Sequence, residues 1–136
     1  MTPGIKLAQA HFESVVSNRV EDFDDQVSDT FRYEFLPPVF GAGPVQLRRW
    51  CATLFSIYRQ WSFEITDAHE DNGTVMVRVN WRGFDPADPP NTAPEFVDVA
   101  MFAYTVKNGK FTQCTASYLE YDEHEELKPQ REKYSD

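Results

Sequence analysis

Two Asn-Gly pairs, at residues 72–73 and 108–109, each stand between stretches rich in alternating apolar and polar residues. Asn and Gly tolerate the positive φ angles of a tight two-residue turn, so this pair is the strongest short-range signal for a β-hairpin. The sequence therefore predicts two long hairpins in the second half of the chain. The first joins WSFEITDAHED to TVMVRVNWRGF, and the second joins EFVDVAMFAY to KFTQCTASYLEYD.

The first half of the chain carries helical periodicity. Thr2 followed by Pro3 is a helix-start signal, and the next apolar residues share one face, which predicts a helix over about residues 4–18. The acidic stretch VEDFDDQVS repeats apolar residues at helical spacing and predicts a short second helix. A third helix is predicted over about residues 44–59, with an apolar stripe along one face.

A first strand precedes the third helix. In TFRYEFL the aromatic residues alternate with Arg32 and Glu34, a period of two that indicates a strand, and Pro37 and Pro38 end it. The predicted order is helix, short helix, strand, helix and four antiparallel strands. This order predicts an α+β domain whose three N-terminal helices pack on one face of a curved antiparallel or mixed sheet.

The length of 136 residues suits one domain with one hydrophobic core. The periodic pattern ends near residue 122, so we expect residues 1–122 to form that domain. Residues 123–136 are charged and lack a sustained periodicity, which predicts a C-terminal tail.

The charge and the N-terminal composition exclude several classes of partner. Twenty-two acidic residues against 13 basic ones give a net charge of -9, which opposes binding to nucleic acid and to anionic membranes. The stretch MTPGIKLAQA is not a signal sequence, and no apolar run approaches the roughly 18 residues that span a membrane. We therefore expect a cytoplasmic protein with no membrane or nucleic-acid partner.

The sequence contains no motif for a metal or an organic cofactor. Cys51 and Cys114 form neither a disulfide framework nor a zinc-type pair, and His11, His69 and His124 lack ligand spacing. A Gly-rich phosphate loop, a nucleophile elbow and a dinucleotide fingerprint are also missing. We expect no metal site, and chemistry that needs no cofactor.

The aromatic share of 15% is generous for a small chain and suggests an aromatic cavity. The order of elements resembles the nuclear-transport-factor-2-like fold, and within it the SnoaL-like polyketide cyclases, ketosteroid isomerase and scytalone dehydratase. FRYEFLPPVFG looks like the strand-one-to-proline segment of fungal SnoaL-like proteins, and APEFVDVAMFAYTVKNGKF is similar to their fourth strand and final hairpin. The resemblance covers roughly residues 5–122. It implies a cone-shaped fold whose helices and concave sheet enclose a pocket for a hydrophobic small molecule.

Asp98 interrupts an almost wholly apolar stretch, FVDVAMFAY. Aligning the NGK turn with that of ketosteroid isomerase implies that Asp98 faces the pocket, together with Phe96, Ala100, Phe102 and Tyr104. Desolvation there would raise the pKa of Asp98 toward the range useful for proton transfer. The alternatives are an ion pair with Arg78 or Arg82, or an acid exposed on the outer face.

The same alignment places an apolar row on the outer face of the sheet, suited to a homodimer. Its members are Val97, Val99, Met101 and Ala103.

One departure from the family also matters. Many SnoaL-like proteins carry a His and an Asp two residues apart just after a GK turn, where this chain has Cys114 and Ala116.

Arg32 and Tyr33 point to opposite faces of the first strand, so one of them should reach the cavity. Arg32 would stabilise an oxyanion, and Tyr33 would donate a hydrogen bond. The alternatives are a surface ion pair for Arg32 and core packing for Tyr33.

The resemblance adds further candidates for the pocket wall, namely His11, Tyr58, Trp61, Phe102, Tyr104, Cys114, Tyr118 and Glu120. For three of them a plainer interpretation is open. His11 would be a boundary histidine half in solvent, Cys114 a small pocket-lining residue rather than a nucleophile, and Glu120 a solvated acid at a strand end.

Three functions are compatible with these residues. The first is a cofactor-independent isomerase, cyclase or dehydratase acting on a hydrophobic, oxygenated metabolite, with Asp98 moving a proton and Arg32 or Tyr33 stabilising the oxyanion. The second is a non-catalytic module that binds a lipophilic ligand or a protein. The third is a domain that mainly dimerises. An Asp98 that faces an apolar cavity beside another polar group would favour the first.

Overall fold

The computed structural model describes residues 1–34, 43–57, 60–84, 87 and 96–118. Several expectations fall outside these residues. They are the end of the first strand at Pro37 and Pro38, the tail at residues 123–136, and the positions of Tyr58 and Glu120.

The two longer helices each begin at a proline. Helix α1 spans Pro3–Val16 and α3 spans Pro44–Ile57, since Pro fits the first helical turn, where its missing N–H is not needed. Between them lie a single 3₁₀ turn at Val20–Asp22 and the one-turn helix α2 at Phe23–Gln26.

The second helix is shorter than the sequence predicted. The periodic apolar residues of VEDFDDQVS predicted a helix that includes Val27, but the chain becomes extended there and Val27 begins strand β1. Val27 is buried in the core. A β-branched residue packs well on a pleated surface, and this tertiary contact overrides the weak helical pattern.

In the described residues, five strands form one mixed sheet. They are β1 at Val27–Glu34, β2 at Gln60–Asp71, β3 at Thr74–Phe84, β4 at Phe96–Lys107 and β5 at Lys110–Tyr118. The spatial order is β1-β5-β4-β3-β2, in which β1 runs parallel to β5 and all other neighbours are antiparallel.

Both predicted hairpins are confirmed. Asn72 and Gly73 take φ angles of 51° and 80°, and Asn108 and Gly109 take 53° and 76°. Positive φ at both central residues is what a two-residue turn of the right twist requires. The β2–β3 and β4–β5 ladders that flank these turns each contain a register shift, and such bulges help to curve the sheet.

Helix α1 is fixed to the inner face of the sheet at its first turn. The backbone N–H of Gly4 donates to Oε1 of Glu70 on β2 at 2.9 Å. A Cβ atom at Gly4 would lie 2.4 Å from Cγ2 of Val75 on β3, so only glycine permits this close approach. Helix α1 therefore covers β2 and β3, while α3 packs against β1.

The hydrophobic core lies between these helices and the inner face of the sheet. On β3, Val75, Val77 and Val79 are buried, whereas Met76 and Arg78 are exposed on the outer face. This period of two puts one face of each strand under the helices. Within the described residues, no helix combines the length and the hydropathy needed to cross a membrane.

Candidate active site

A cavity opens between α1, α3 and the inner face of the sheet. It encloses an empty volume of about 630 Å³, counting the space open to solvent at its mouth. Its wall is mainly aromatic, with Phe12, Trp50, Phe55, Trp61, Trp81 and Phe102 among the lining residues. An apolar cavity with a few converging polar groups is the usual form of a small-molecule site.

Asp98 supplies a carboxyl group to this wall. The residue is 2% exposed and lies opposite Trp81 in the β3–β4 ladder. On the same face of β4, Phe102 and Tyr104 also line the cavity, while Met101 on the other face is 46% exposed.

The two alternatives for Asp98, exposure on the outer face and an ion pair with Arg78 or Arg82, are wrong. It is not an acid on the outer face of the sheet, because it is buried and lines the cavity. It is also not paired with Arg78 or Arg82, because both arginines are exposed and alternate with the inward-facing Val79 and Trp81 of β3. Their side chains therefore point to the opposite face of the sheet.

Tyr33 and Tyr104 bring two phenol groups to the same cavity. Tyr33 is 5% exposed and Tyr104 is 1% exposed, and both line the wall. Their rings flank Phe102, with centroid distances of 6.2 Å for Tyr33 and 5.7 Å for Tyr104. A buried phenol retains a polar hydroxyl that can donate or accept a hydrogen bond.

Arg32 does not belong to the site. On β1, Phe31 and Tyr33 are buried, whereas Arg32 and Glu34 are exposed. The alternation of side chains along a strand gives the inward face to Tyr33, so Arg32 points away from the cavity. The expected role of Arg32 as an oxyanion stabiliser is therefore wrong.

His11 projects from α1 into the cavity wall and is not half in solvent as expected, because it is 2% exposed. Its Nδ1 lies 2.9 Å from Oε1 of Gln26, and the ring packs 4.8 Å from that of Phe23. Burial lowers the pKa of His11 to about 4, although the hydrogen bond to Gln26 acts in the opposite direction. The imidazole is therefore neutral at physiological pH.

Cys114 lies behind the cavity wall and is not one of the lining residues. It is fully buried on β5, and the register places it beside Tyr33 on β1 and Tyr104 on β4. Burial raises the pKa of the thiol above its ordinary value, although the neighbouring Tyr33 and Tyr104 act in the opposite direction. The larger Tyr33 and Tyr104 side chains line the wall on either side of this short residue. The expectation that Cys114 lines the pocket is therefore wrong.

The remaining candidates divide into two groups. Trp61, Phe102 and Tyr104 line the cavity. Tyr58, Glu120 and the side chain of Tyr118 lie outside the described residues.

A model of the SnoaL-like domain matches residues 8–114 of the chain. This protein belongs to the SnoaL-like family. The match contains the elements that build the cavity, from α1 to the middle of β5.

Solved structures show the same fold at low sequence identity. A candidate polyketide cyclase from Bacillus cereus ATCC 10987 is 20% identical with a TM-score of 0.74, covering 93% of this chain and 78% of its own. TsrD from Streptomyces laurentii is 13% identical with a TM-score of 0.72, covering 93% of this chain and 95% of its own.

A SnoaL-like polyketide cyclase from Agrobacterium tumefaciens is 13% identical with a TM-score of 0.68, covering 89% of this chain and 94% of its own. Comparison with curated proteins finds no match. The fold of this SnoaL-like chain is therefore established, and its chemistry must be argued from its own residues.

Sequence reasoning missed several residues of this SnoaL-like site. Trp50 and Trp81 both line the cavity, although the sequence around them indicates only apolar patterns. Gln26 was not singled out, although it binds the ring of His11. One signal was available, since His11 and Ser14 interrupt the apolar face of α1 at a spacing of three residues.

The remaining features of this SnoaL-like domain are its possible metal ligands and its second cysteine. In the part of the chain that the structure describes, no group of three or more His, Cys, Asp or Glu residues is placed to hold a metal ion. Cys51 lines the cavity, but burial raises the pKa of its thiol to about 12. The thiol therefore stays protonated at neutral pH and does not serve as a nucleophile.

Proposed function

We propose that this SnoaL-like domain is a cofactor-independent isomerase, cyclase or dehydratase. Its substrate would be a hydrophobic, oxygenated molecule of polyketide or terpenoid type. The observation that carries the proposal is the position of Asp98, a carboxyl group that is 2% exposed and lines an aromatic cavity. Buried carboxyl groups in clefts are frequent sites of proton transfer.

Asp98 would accept a proton from an acidic C–H group of the substrate or return one to it. An apolar cavity destabilises the charged carboxylate relative to the neutral acid, which makes the carboxylate a stronger base than it is in water. The inward-facing Tyr33 and Tyr104 would donate hydrogen bonds to the oxyanion that develops on the substrate. This arrangement needs no cofactor.

The aromatic wall would hold a flexible substrate in a folded conformation. Trp50 and Phe55 on α3 line the cavity together with Trp61 and Trp81 on the sheet, and the ring centroids of Phe55 and Trp61 lie 6.4 Å apart. Bringing the reacting atoms together in this way lowers the entropic part of the barrier to ring closure. The shape of the cavity would thus contribute to the rate.

The test is a turnover screen with Asp98→Asn as the decisive variant. Linear poly-β-ketone thioesters and steroid or terpenoid enones would be incubated with the protein, and products would be identified by mass spectrometry and NMR. We expect turnover of at least one class and a loss of about 10²–10⁴-fold in the variant. Asp71→Asn, on an exposed acid at the β2–β3 turn, serves as the matched control. Equal activity of wild type and Asp98→Asn would contradict the proposal.

A second function is favoured by the residues after the final turn. Where many SnoaL-like proteins have a His and an Asp, this chain has Cys114 and Ala116, both buried. The same cavity could therefore bind a lipophilic ligand without transforming it. Tight binding of a substrate class with no turnover would support this alternative.

We also propose that a second copy of the chain covers the outer face of the sheet. Met76 and Met101 are 51% and 46% exposed there, beside the partly buried Val99 and Ala103. Large exposed apolar side chains on one sheet face favour association between identical subunits, and Arg78 lies beside them, opposite Met101.

A further inference from the structure

A chain of hydrogen bonds runs from the cavity wall to the protein surface. Nδ1 of His11 lies 2.9 Å from Oε1 of Gln26, and Nε2 of Gln26 donates to Oγ of Ser14 at 2.9 Å. The hydroxyl of Ser14 lies 3.0 Å from Oδ2 of Asp22, which also accepts from Nε of Arg19 at 3.0 Å. The chain thus connects α1, the 3₁₀ turn and α2.

The inner members of this chain are almost fully buried. Ser14 is 1% exposed, His11 2% and Gln26 8%. Arg19 and Asp22 lie at the surface, where the hydrogen bonds from Arg19 and Ser14 hold the pKa of Asp22 below its usual value. Asp22 is therefore a carboxylate at neutral pH.

The two acceptors beside the Ser14 hydroxyl determine the direction of the hydrogen bonds in this chain. The carboxylate of Asp22 and the carbonyl of Ala10 only accept, so the single hydroxyl hydrogen of Ser14 is donated to them. The oxygen of Ser14 must then accept from the amide NH₂ of Gln26, which also lies 3.4 Å from the carbonyl of Ala10. This orientation turns Oε1 of Gln26 toward His11.

The amide oxygen of Gln26 can only accept, so Nδ1 of His11 must carry a hydrogen. In a neutral imidazole the other nitrogen, Nε2, is then a bare acceptor. Within the described part of the chain, the bond through Nδ1 is the only side-chain hydrogen bond of His11. Its ring otherwise packs on aromatic rings, including those of Phe23 and Phe111.

We infer that Gln26 is a positioning residue that holds His11 in the Nδ1–H tautomer, so that Nε2 accepts a hydrogen bond from a hydroxyl group of the ligand in the cavity. The part of this inference that concerns the ligand rests on the proposed function. The part that concerns the tautomer rests on the hydrogen-bond chain alone. Together they define a ligand that carries a hydroxyl near α1.

The first test is ¹⁵N NMR of the histidine side chains in the free protein at neutral pH. Long-range couplings between ring carbon-bound hydrogens and ring nitrogens distinguish the two tautomers. We expect His11 to give the pattern of a protonated Nδ1 and a bare Nε2. A dominant Nε2–H pattern, or an equal mixture of the two, would overturn the inference. This measurement needs no substitution, so it decides the question even if variants fail to fold.

Substitutions at Gln26 then separate positioning from packing. Gln26→Met keeps the volume but removes the acceptor, and we expect His11 to shift toward the Nε2–H tautomer that free imidazole prefers. Gln26→Glu restores an acceptor oxygen, and we expect the hydrogen to return to Nδ1. Gln9→Met, which removes only an exposed hydrogen bond to Glu13 on α1, is the control and should leave the pattern unchanged. Retention of the Nδ1–H pattern in Gln26→Met would contradict a positioning role.

The ligand part is tested with a pair of probes, 2-naphthol and naphthalene. Both should perturb the tryptophan signals of the cavity, but only 2-naphthol should shift the Nε2 resonance of His11. Binding of both without a selective Nε2 shift would overturn the hydroxyl contact. If neither probe perturbed the tryptophans, the proposed small-molecule function would be contradicted, while the spectrum of the free protein would still decide the tautomer.

Discussion

Tyr33 and Cys114 lie side by side in the parallel ladder between β1 and β5, and both side chains are buried. This contact fixes the edge of the cavity wall where the first and last strands meet. It leaves the phenol of Tyr33 in the wall and the sulfur of Cys114 behind it. Cys114 therefore supports the wall from behind and does not contribute to its surface.

Tyr33→Phe should lower kcat on whatever substrate the turnover screen identifies. Removing one donor to a developing oxyanion typically reduces the rate by about 10²–10³-fold. Arg32→Ala, one residue away and exposed on the opposite face, is the matched control and should leave kcat unchanged. The measurement is steady-state kinetics of both variants. A larger loss in Arg32→Ala than in Tyr33→Phe would contradict the assignment.

The stability of the fold should depend on His11 between about pH 4 and pH 6.5. Its pKa is lowered from 6.5 to about 4 in the folded state, so the unfolded chain binds the proton more readily in this interval. The contribution of the neutral imidazole is fully present above pH 6.5 and is lost as the pH falls toward 4. The shift corresponds to a change in the free energy of unfolding on the order of 3 kcal/mol across this interval.

Urea unfolding of wild type and His11→Gln at a series of pH values from 5 to 7.5 measures this dependence. The difference in the free energy of unfolding between the two proteins should shrink as the pH falls. His69→Gln is the control, because the side chain of His69 is 75% exposed. Parallel curves for wild type and His11→Gln would show that His11 does not titrate as expected.

Met101→Glu should dissociate the proposed homodimer. Burial against the partner subunit would desolvate this carboxylate, and an ion pair with Arg78, which lies opposite it in the β3–β4 ladder, does not usually repay that penalty. Val45→Glu, on a side chain 60% exposed on α3, introduces the same charge away from the outer face of the sheet. Sedimentation velocity should give a dimer for wild type and Val45→Glu and a monomer for Met101→Glu. A monomeric wild type at high concentration would rule out this interface.

Gly4→Ala should destabilise the fold by about 1–3 kcal/mol, as overpacking of a well-filled contact usually does. The added Cβ would lie 2.4 Å from Val75 and 2.8 Å from Glu70, so α1 would have to shift away from the sheet. Gly43→Ala is the control, because its Cβ would meet only the flexible end of Gln46 at 3.0 Å. Chemical denaturation of the two variants provides the comparison. Equal stabilities would show that α1 does not depend on this close approach.

The strands could be predicted from the sequence because their signals are local. Asn72 and Asn108 each precede a glycine and mark the turns, and the period-two pattern around Asp98 and Tyr33 assigns the faces of β4 and β1. The choice between Arg32 and Tyr33 could not be made from alternation alone. It depends on which face the helices cover, and that is a tertiary property.

The burial of His11 and its bond to Gln26 could not be predicted for a related reason. Gln26 lies 15 residues from His11 along the chain, and the intervening acidic stretch gives only a weak helical signal. The one-turn helix α2 forms because Phe23 and Gln26 pack inward, with Gln26 hydrogen-bonded to residues of α1. Such hydrogen bonds between neighbouring elements leave no periodic trace in a sequence.

The parallel pairing of β1 with β5 joins the earliest strand of the chain to the latest. The cavity wall is consequently complete only after the final hairpin has formed, since Tyr33 acquires its neighbour on β5 at that point. Contacts so distant in sequence are slow to form, because the loop between them must be closed first. Among the described strands, β5 is the last to be synthesised, and it joins the strands that carry Tyr33 and Tyr104.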